Sequence, residues 1–223
     1  MNYPAFVKNF DFEVNAGLFN NVEIKNIDSN FILLVDGLKW MNYDAVTKQQ
    51  ALEFYIHYEL AHGHVATTGL GLGIREQLLL SKSSVSKLTI IEKSSDLINY
   101  HKTHSKWAND SRVDFVNLHA DQYLLKSDVL LLDHFEQQNF IGILNQVQSI
   151  ANKCTSKTIW FWPFEVYIRC NAIKHNLTFL DSYNDLLDKF RFNNFPTLSQ
   201  DMVDIAVDLF PNNINTKQIE SFI

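Results

Sequence analysis

The sequence predicts an α/β fold, with a doubly wound, mostly parallel sheet behind a small N-terminal β-hairpin region. Three observations carry this. Short apolar runs at residues 65–68, 87–91, 113–118, 128–132 and 157–161 alternate with stretches of helical spacing, the pattern of strands buried on both faces. Gly69-x-Gly71-x-Gly73 separates the first of these runs from a helical stretch starting at Ile74. Acids stand where the runs end: Glu92 after the second, Asp121 after the third, Asp133 after the fourth.

The elements follow in order. Residues 1–20 are mixed and uninformative. Residues 22–25 alternate with period two, residues 26–30 supply turn chemistry, and residues 31–35 form a buried-type run closed by Asp36-Gly37, so a hairpin is expected. Residues 45–61 suit one helix, stopped by Gly63. In the alternating part, residues 74–80 read as helical, and Ser95 is expected to cap a helix running to about Trp107. Phe140, Ile141, Leu144, Val147 and Ile150 recur at helical spacing, and residues 198–210 carry one more helical face. The division expected is 1–44 for the hairpin region and 45–223 for the sheet domain.

Composition narrows the function. The 223 residues are 46% hydrophobic and 20% charged, ordinary globular values that exclude disorder as the main state. The formal net charge of −6, with no basic block, disfavours nucleic acid as a partner. Cys154 and Cys170 make neither a disulfide framework nor a CxxC site. The first residues lack a basic region followed by an apolar run, and residues 158–168 are too short to span a bilayer. A cytoplasmic protein with no membrane partner is expected. His57, His62 and His64 near Glu59 lack His-Glu-x-x-His spacing, so no metal site is expected.

Glycines between a strand and a helix let the backbone turn tightly and let a ligand approach without a Cβ in the way. A carboxylate ending the next strand, about 20 residues on, suits a ribose diol. The dinucleotide pattern GxGxxG would need a third glycine at position 74, which is Ile74. The GxGxG spacing instead resembles the class I S-adenosylmethionine-dependent methyltransferases, over roughly residues 63–165. That resemblance implies a Rossmann-like fold with S-adenosylmethionine as cofactor. It places Gly69, Gly71 and Gly73 under the donor's methionine and ribose, Glu92 on the ribose hydroxyls, and Asp121 facing the adenine amino group.

Within that superfamily the chain is similar to the spermidine synthases and their methyltransferase relatives, over about residues 22–135. The likeness rests on Leu34-Val35-Asp36-Gly37, on His57-Tyr58-Glu59-Leu60-Ala61-His62, on residues 88–92 and on Arg112-Val113. The departures shape the reading. Leu72 stands where the synthases carry an aspartate for the donor's amino end. Thr67 stands two residues before the first loop glycine, where many methyltransferases have an acid, and is the donor-binding candidate there. Asp133-His134-Phe135-Glu136-Gln137 replaces an Asp-Ser-Ser-Asp-Pro segment, keeping only the first acid.

Methyl transfer is an in-line displacement that needs alignment, water exclusion and, for an amine acceptor, a base. Asp133, His134 and Glu136 are the catalytic candidates. The plain alternative is that His134 and Glu136 merely begin a surface loop. The run Trp160-Phe161-Trp162-Pro163-Phe164 reads either as a buried strand with a bulky core or as an aromatic wall. Trp162, Tyr43 and Tyr58 are the candidates for such a wall against a small-molecule acceptor. The first expectation is therefore a methyltransferase for a nitrogen or oxygen of a small molecule, with a homodimer left open. The alternatives are aminopropyl transfer and a non-catalytic binding protein with a degenerate donor site.

Overall fold

In the computed structural model, residues 3–122, 126–135 and 140–209 are described. Helix α1 (Tyr3–Asn9) leads into an antiparallel meander of β1 (Gly17–Phe19), β2 (Val22–Ile27), β3 (Asn30–Val35) and β4 (Leu38–Asp44). The expected hairpin is thus the middle of a four-stranded sheet. Two-residue turns join the last three strands at Asp28-Ser29 and Asp36-Gly37, with φ positive at all four positions (50°, 68°, 53° and 75°). That conformation matches the twist of a tight hairpin, and short polar residues and glycine tolerate it. Strand β4 escapes the alternation rule because of a bulge. Leu33 pairs with Met41 and Leu34 with Lys39, so Trp40 is the extra residue. A bulge re-aims neighbouring side chains, and Trp40, Met41 and Asn42 all face one cavity.

The stretch 45–61 forms two short helices, α2 (Gln49–Leu52) and α3 (Tyr55–Leu60). The break at Glu53-Phe54 lets both side chains turn toward the same cavity. Gly63 does not end α3. Ala61 is already extended, and Gly63 opens β5 (Gly63–Thr68) with φ +61°. Then follow α4 (Ile74–Leu80), β6 (Val85–Ile91), α5 (Ser95–His104), β7 (Val113–Val116), β8 (Val129–Leu132), α6 (Phe140–Lys153) and β9 (Thr158–Phe161). The cap of α5 is Ser94 rather than Ser95: its side chain accepts the Leu97 N–H at 3.1 Å. That helix ends at His104, and Trp107 sits on a separate short 3-10 turn.

The five strands form one parallel sheet in the order β7-β6-β5-β8-β9. Strand β8 is buried throughout, as expected of a strand covered on both faces. The order reverses between β5 and β8, and the crevice beyond their C-terminal ends is where such sheets bind ligands. After β9 come α7 (Phe164–His175), α8 (Phe179–Phe190) and α9 (Gln200–Leu209), with α9 packed on α3 and α8. No helix among the described residues is long and apolar enough to cross a membrane.

The N-terminal sheet shares its core with the parallel sheet: Val22, Ile24, Leu33 and Tyr43 belong to one continuous buried cluster with Leu88 and Leu131. Polar staples reinforce this. Gln77 on α4 exchanges two hydrogen bonds with the Glu13 backbone, at 2.8 and 3.0 Å, and the Tyr100 hydroxyl donates to Asn15 O at 2.6 Å.

Two glycines with the same backbone sign test the packing. Gly37 and Gly69 have φ of +75° and +73°, but a Cβ at Gly37 meets open space while one at Gly69 collides with the Asp133 carbonyl. Gly37→Ala should cost about 1 kcal/mol, and Gly69→Ala at least about 3 kcal/mol. Urea denaturation at constant m-value measures both.

Candidate active site

The glycine loop follows β5 directly. Gly69, Gly71 and Gly73 all take positive φ, at +73°, +57° and +73°. Added Cβ atoms at these positions would strike the Asp133 carbonyl, the Met41 sulfur and the Trp107 ring respectively. The room left by the missing side chains is therefore filled largely by neighbouring protein. The glycines let the end of β8, the bulged β4 and the Trp107 turn close on the loop. Met41 Sδ also accepts the Leu72 N–H at 3.3 Å.

Beside the loop lies a cavity of about 410 Å³, within the usual range for small-molecule sites. At one end is Glu92, whose carboxyl accepts the Leu70 N–H at 3.0 Å and the Ser94 N–H at 2.7 Å. Burial pushes this carboxyl up, and those two N–H groups and Lys93 pull it back. A carboxylate has about four lone-pair sites, so two backbone bonds leave capacity for a diol. Leu118, His119 and Ala120 complete this end. Lys93 lies 5.1 Å from the centre of the Trp40 ring, joining the rim to the N-terminal sheet.

The other end is polar and crowded. Arg75, only 2% exposed at its side chain, pairs with Glu76 Oε1 at 2.7 Å and with Asp133 Oδ2 at 3.4 Å. Its Nη2 also donates to the carbonyls of Thr68 and Gly69. The Phe54 ring centre lies 5.8 Å from the guanidinium. Glu53, on the same wall, is pushed up by burial. Asp133 keeps 30% side-chain exposure, which opens onto the cavity. Its carboxyl is pushed up to about 7, chiefly by desolvation; Arg75 opposes the shift, while Glu76 and Glu53 add to it. One guanidinium thus pairs with the carboxyl groups of Glu76 and Asp133, and the Glu53 carboxyl acts on Asp133 from the same wall.

Of the residues singled out in the sequence, the cavity gathers Gly69, Gly71, Glu92, Asp133, His134 and Trp162. Gly73 lies behind the loop as the cap residue of α4. Thr67 does not reach the cavity. It is fully buried, its hydroxyl has no partner, and strand alternation turns the next residue, Thr68, toward Asp133 and His134 instead. Asp121 is exposed and accepts from or pairs with His119 Nδ1 at 2.7 Å, outside the cavity wall. Glu136 lies outside the described residues. The two tyrosines are misplaced as acceptor walls. Tyr43 is 1% exposed and packs on Phe12, and Tyr58 packs on Phe6 under Lys82. Of the aromatic run, Trp160, Phe161 and Phe164 are core, and only Trp162 reaches the wall. His57 is fully buried with neither ring nitrogen hydrogen-bonded, His62 meets Leu60 O and His64 meets Thr89 Oγ1. No group of three His, Cys, Asp or Glu able to hold a metal occurs among the described residues.

Sequence reasoning missed Glu53, Arg75 and Glu76. The available signal was a consecutive Arg-Glu pair inside an otherwise apolar helix, every residue of which is buried. A charged pair in such a helix needs a partner across the interior.

No protein-family model and no curated protein matches the sequence. Among solved structures, the chain superposes on the spermidine synthase from Thermotoga maritima at 18% identity and a TM-score of 0.44, over 65% of this chain and 53% of that one. A spermidine synthase in complex with the transition-state analogue AdoDATO gives 18% identity and 0.43, over 64% and 54%. Trm5b from Pyrococcus abyssi gives 13% and 0.42, over 62% and 39%. The chain spans about half the length of the synthases it matches.

Proposed function

We propose that this chain is an S-adenosylmethionine-dependent methyltransferase acting on a nitrogen or oxygen of a small molecule. The observation that carries the reading is the placement of two acids across one cavity. Glu92 stands at one end and Asp133, with its carboxyl near neutrality, at the other, and the glycine loop runs between them. The residues suit the donor: Glu92 retains lone pairs for a ribose diol, and the carboxyl surplus around Arg75 favours a cationic ligand. When bound, that donor supplies an electrophilic methyl group on a sulfonium.

The chain's own residues do the rest. Glu92 and the loop backbone orient the donor. Trp40, Met41, Phe135 and Trp162 line the cavity with apolar surface and exclude water. Asp133 takes the proton of the attacking nitrogen or oxygen, and a base poised near neutral pH is well matched to that task. With Thr67 and Leu72 lacking the family's acids, Glu53 and Glu76 are the carboxyl groups offered to the donor's ammonium. The acidic chain supports a small acceptor over a nucleic acid. The carboxyl surplus also suits decarboxylated donor, which keeps aminopropyl transfer as the second reading, against Leu72.

Isothermal titration with S-adenosylmethionine, S-adenosylhomocysteine and the decarboxylated donor separates the readings. Binding of the first two, weakened at least tenfold in Glu92→Ala, is expected. Preference for the decarboxylated donor would move the assignment to aminopropyl transfer, and silence from all of them would leave a binding protein of another kind.

Asp133 generates two further expectations. Its carboxyl ionises at about 7 in the folded chain and at about 3.8 when unfolded. Below about 7 the rate should fall tenfold per pH unit, and Asp133→Asn should lower it by about 10²-fold or more. For stability the sign is opposite to that of a salt-bridged acid. The folded state holds this proton more tightly, so the group favours folding at low pH and loses that contribution as pH rises from about 3.8 to about 7. Asp133→Asn should therefore stabilise the fold above neutral pH, by about 1–3 kcal/mol, measurable as a denaturation midpoint at pH 8 against pH 5.

A further inference from the structure

The hydroxyl of Thr68 lies between two partners. Thr68 is the last residue of β5 and is 1% exposed. The Asp133 N–H reaches Thr68 Oγ1 at 3.2 Å, as well as Thr68 O at 3.1 Å. His134 Nδ1 lies 2.6 Å from the same Oγ1. A backbone N–H only donates, so the hydroxyl oxygen spends a lone pair on Asp133. Its single hydrogen then has one acceptor within hydrogen-bond distance among the described residues, His134 Nδ1. If Nδ1 carried a proton instead, the hydroxyl would accept twice and its own hydrogen would be buried without a partner. Such buried orphans are rare in folded proteins, and the 2.6 Å contact to Nδ1 gives this hydroxyl a partner that the neighbouring Thr67 hydroxyl lacks.

We propose that Thr68 is a positioning residue that holds His134 as the neutral Nε2–H tautomer, which makes this histidine a hydrogen-bond donor to the cavity and not its base. The other ring nitrogen sets the tautomer, as is general for histidine. Nε2 has no protein partner among the described residues and is not among their buried unpaired atoms, while His134 lines the cavity. The group it meets must therefore carry a free lone pair, such as a hydroxyl or carbonyl oxygen or an unprotonated ring nitrogen, and not an ammonium. The surroundings agree. Desolvation first, then His119, Arg75 and Lys93, oppose a charge on the ring, Asp121 alone favours one, and the imidazole is pushed down to about 4. Protonation at Nδ1 would also strand the Thr68 hydrogen. The assignment to a cavity donor rests on the transferase reading of the cavity, but the tautomer itself does not.

The test is ¹⁵N–¹H correlation of the histidine rings in the full chain, with His134 assigned by its absence in His134→Gln. The expected pattern is a protonated Nε2 and a bare Nδ1, unchanged from neutral pH down toward about 4. Thr68→Ser keeps the hydroxyl and should keep this pattern. Thr68→Val removes it and should give mixed tautomers with the ring titrating at least about one unit higher. A wild-type ring protonated at Nδ1, or one titrating near its ordinary value, overturns the proposal. Should Thr68→Val fail to fold, the wild type and Thr68→Ser decide. The measurement needs no donor, so its failure and failure of the methyl-transfer reading are separate results.

Discussion

Arg75 is a buried cation, and the polar end of the cavity is organised around it. A guanidinium removed from water is tolerated only when its N–H groups are taken up. Here Glu76 accepts from Nε and Nη2, and the carbonyls of Thr68 and Gly69 accept from Nη2, while Nη1 has only its 3.4 Å ion pair with Asp133 and no hydrogen bond among the described residues. These contacts tie the first turn of α4 to the end of β5 and to the end of β8. The loop geometry, the position of Asp133 and the resistance of its carboxyl to ionisation all follow from one crowded arrangement. Arg75 partly offsets the desolvation of Asp133, while Glu76 and Glu53 work against that offset. The balance leaves an acid suspended between its two protonation states.

The N-terminal sheet matters to this site through a single irregularity. A regular β4 would alternate its side chains between faces. The bulge at Trp40 instead presents three consecutive residues to the cavity and sets the Met41 sulfur on the loop, over Gly71. The glycine at 71 is thus a packing requirement between two sheets as well as a backbone one. The roof and the floor of the cavity are made by different sheets that share one core.

Much of the site was legible because strand ends carry it. Glu92 stood out as the acid ending a strand about 20 residues after the glycine loop, and Asp133 as the one acid kept after the fourth strand in the resemblance. Parity was harder. Thr67 and Thr68 are chemically alike and adjacent, and only the pairing with β6 and β8 decides which one turns to His134. Aromatic character misled in the same way. Tyr43 and Tyr58 have the side chains of an acceptor wall, yet each meets another phenylalanine and the cavity lies elsewhere. His134 looked like a base by residue type, and the Thr68 hydroxyl 2.6 Å from its Nδ1 is a contact that residue type alone does not reveal.

Periodicity, turn chemistry and glycine spacing act over a few residues, so they determined the parallel strands, the helix after the glycine loop and the acids at strand ends. They missed α1 and β1, where no pattern persists long enough, and the break between α2 and α3 at Glu53-Phe54, whose side chains line the cavity. Tertiary structure alone decided the charge balance of the site. Arg75, Glu76, Glu53 and Asp133 come from three separate stretches of chain, and a carboxyl's protonation depends on the dielectric and charges within a few ångströms. Those distances exist only once β8 lies beside β5 and the α2–α3 break folds over them.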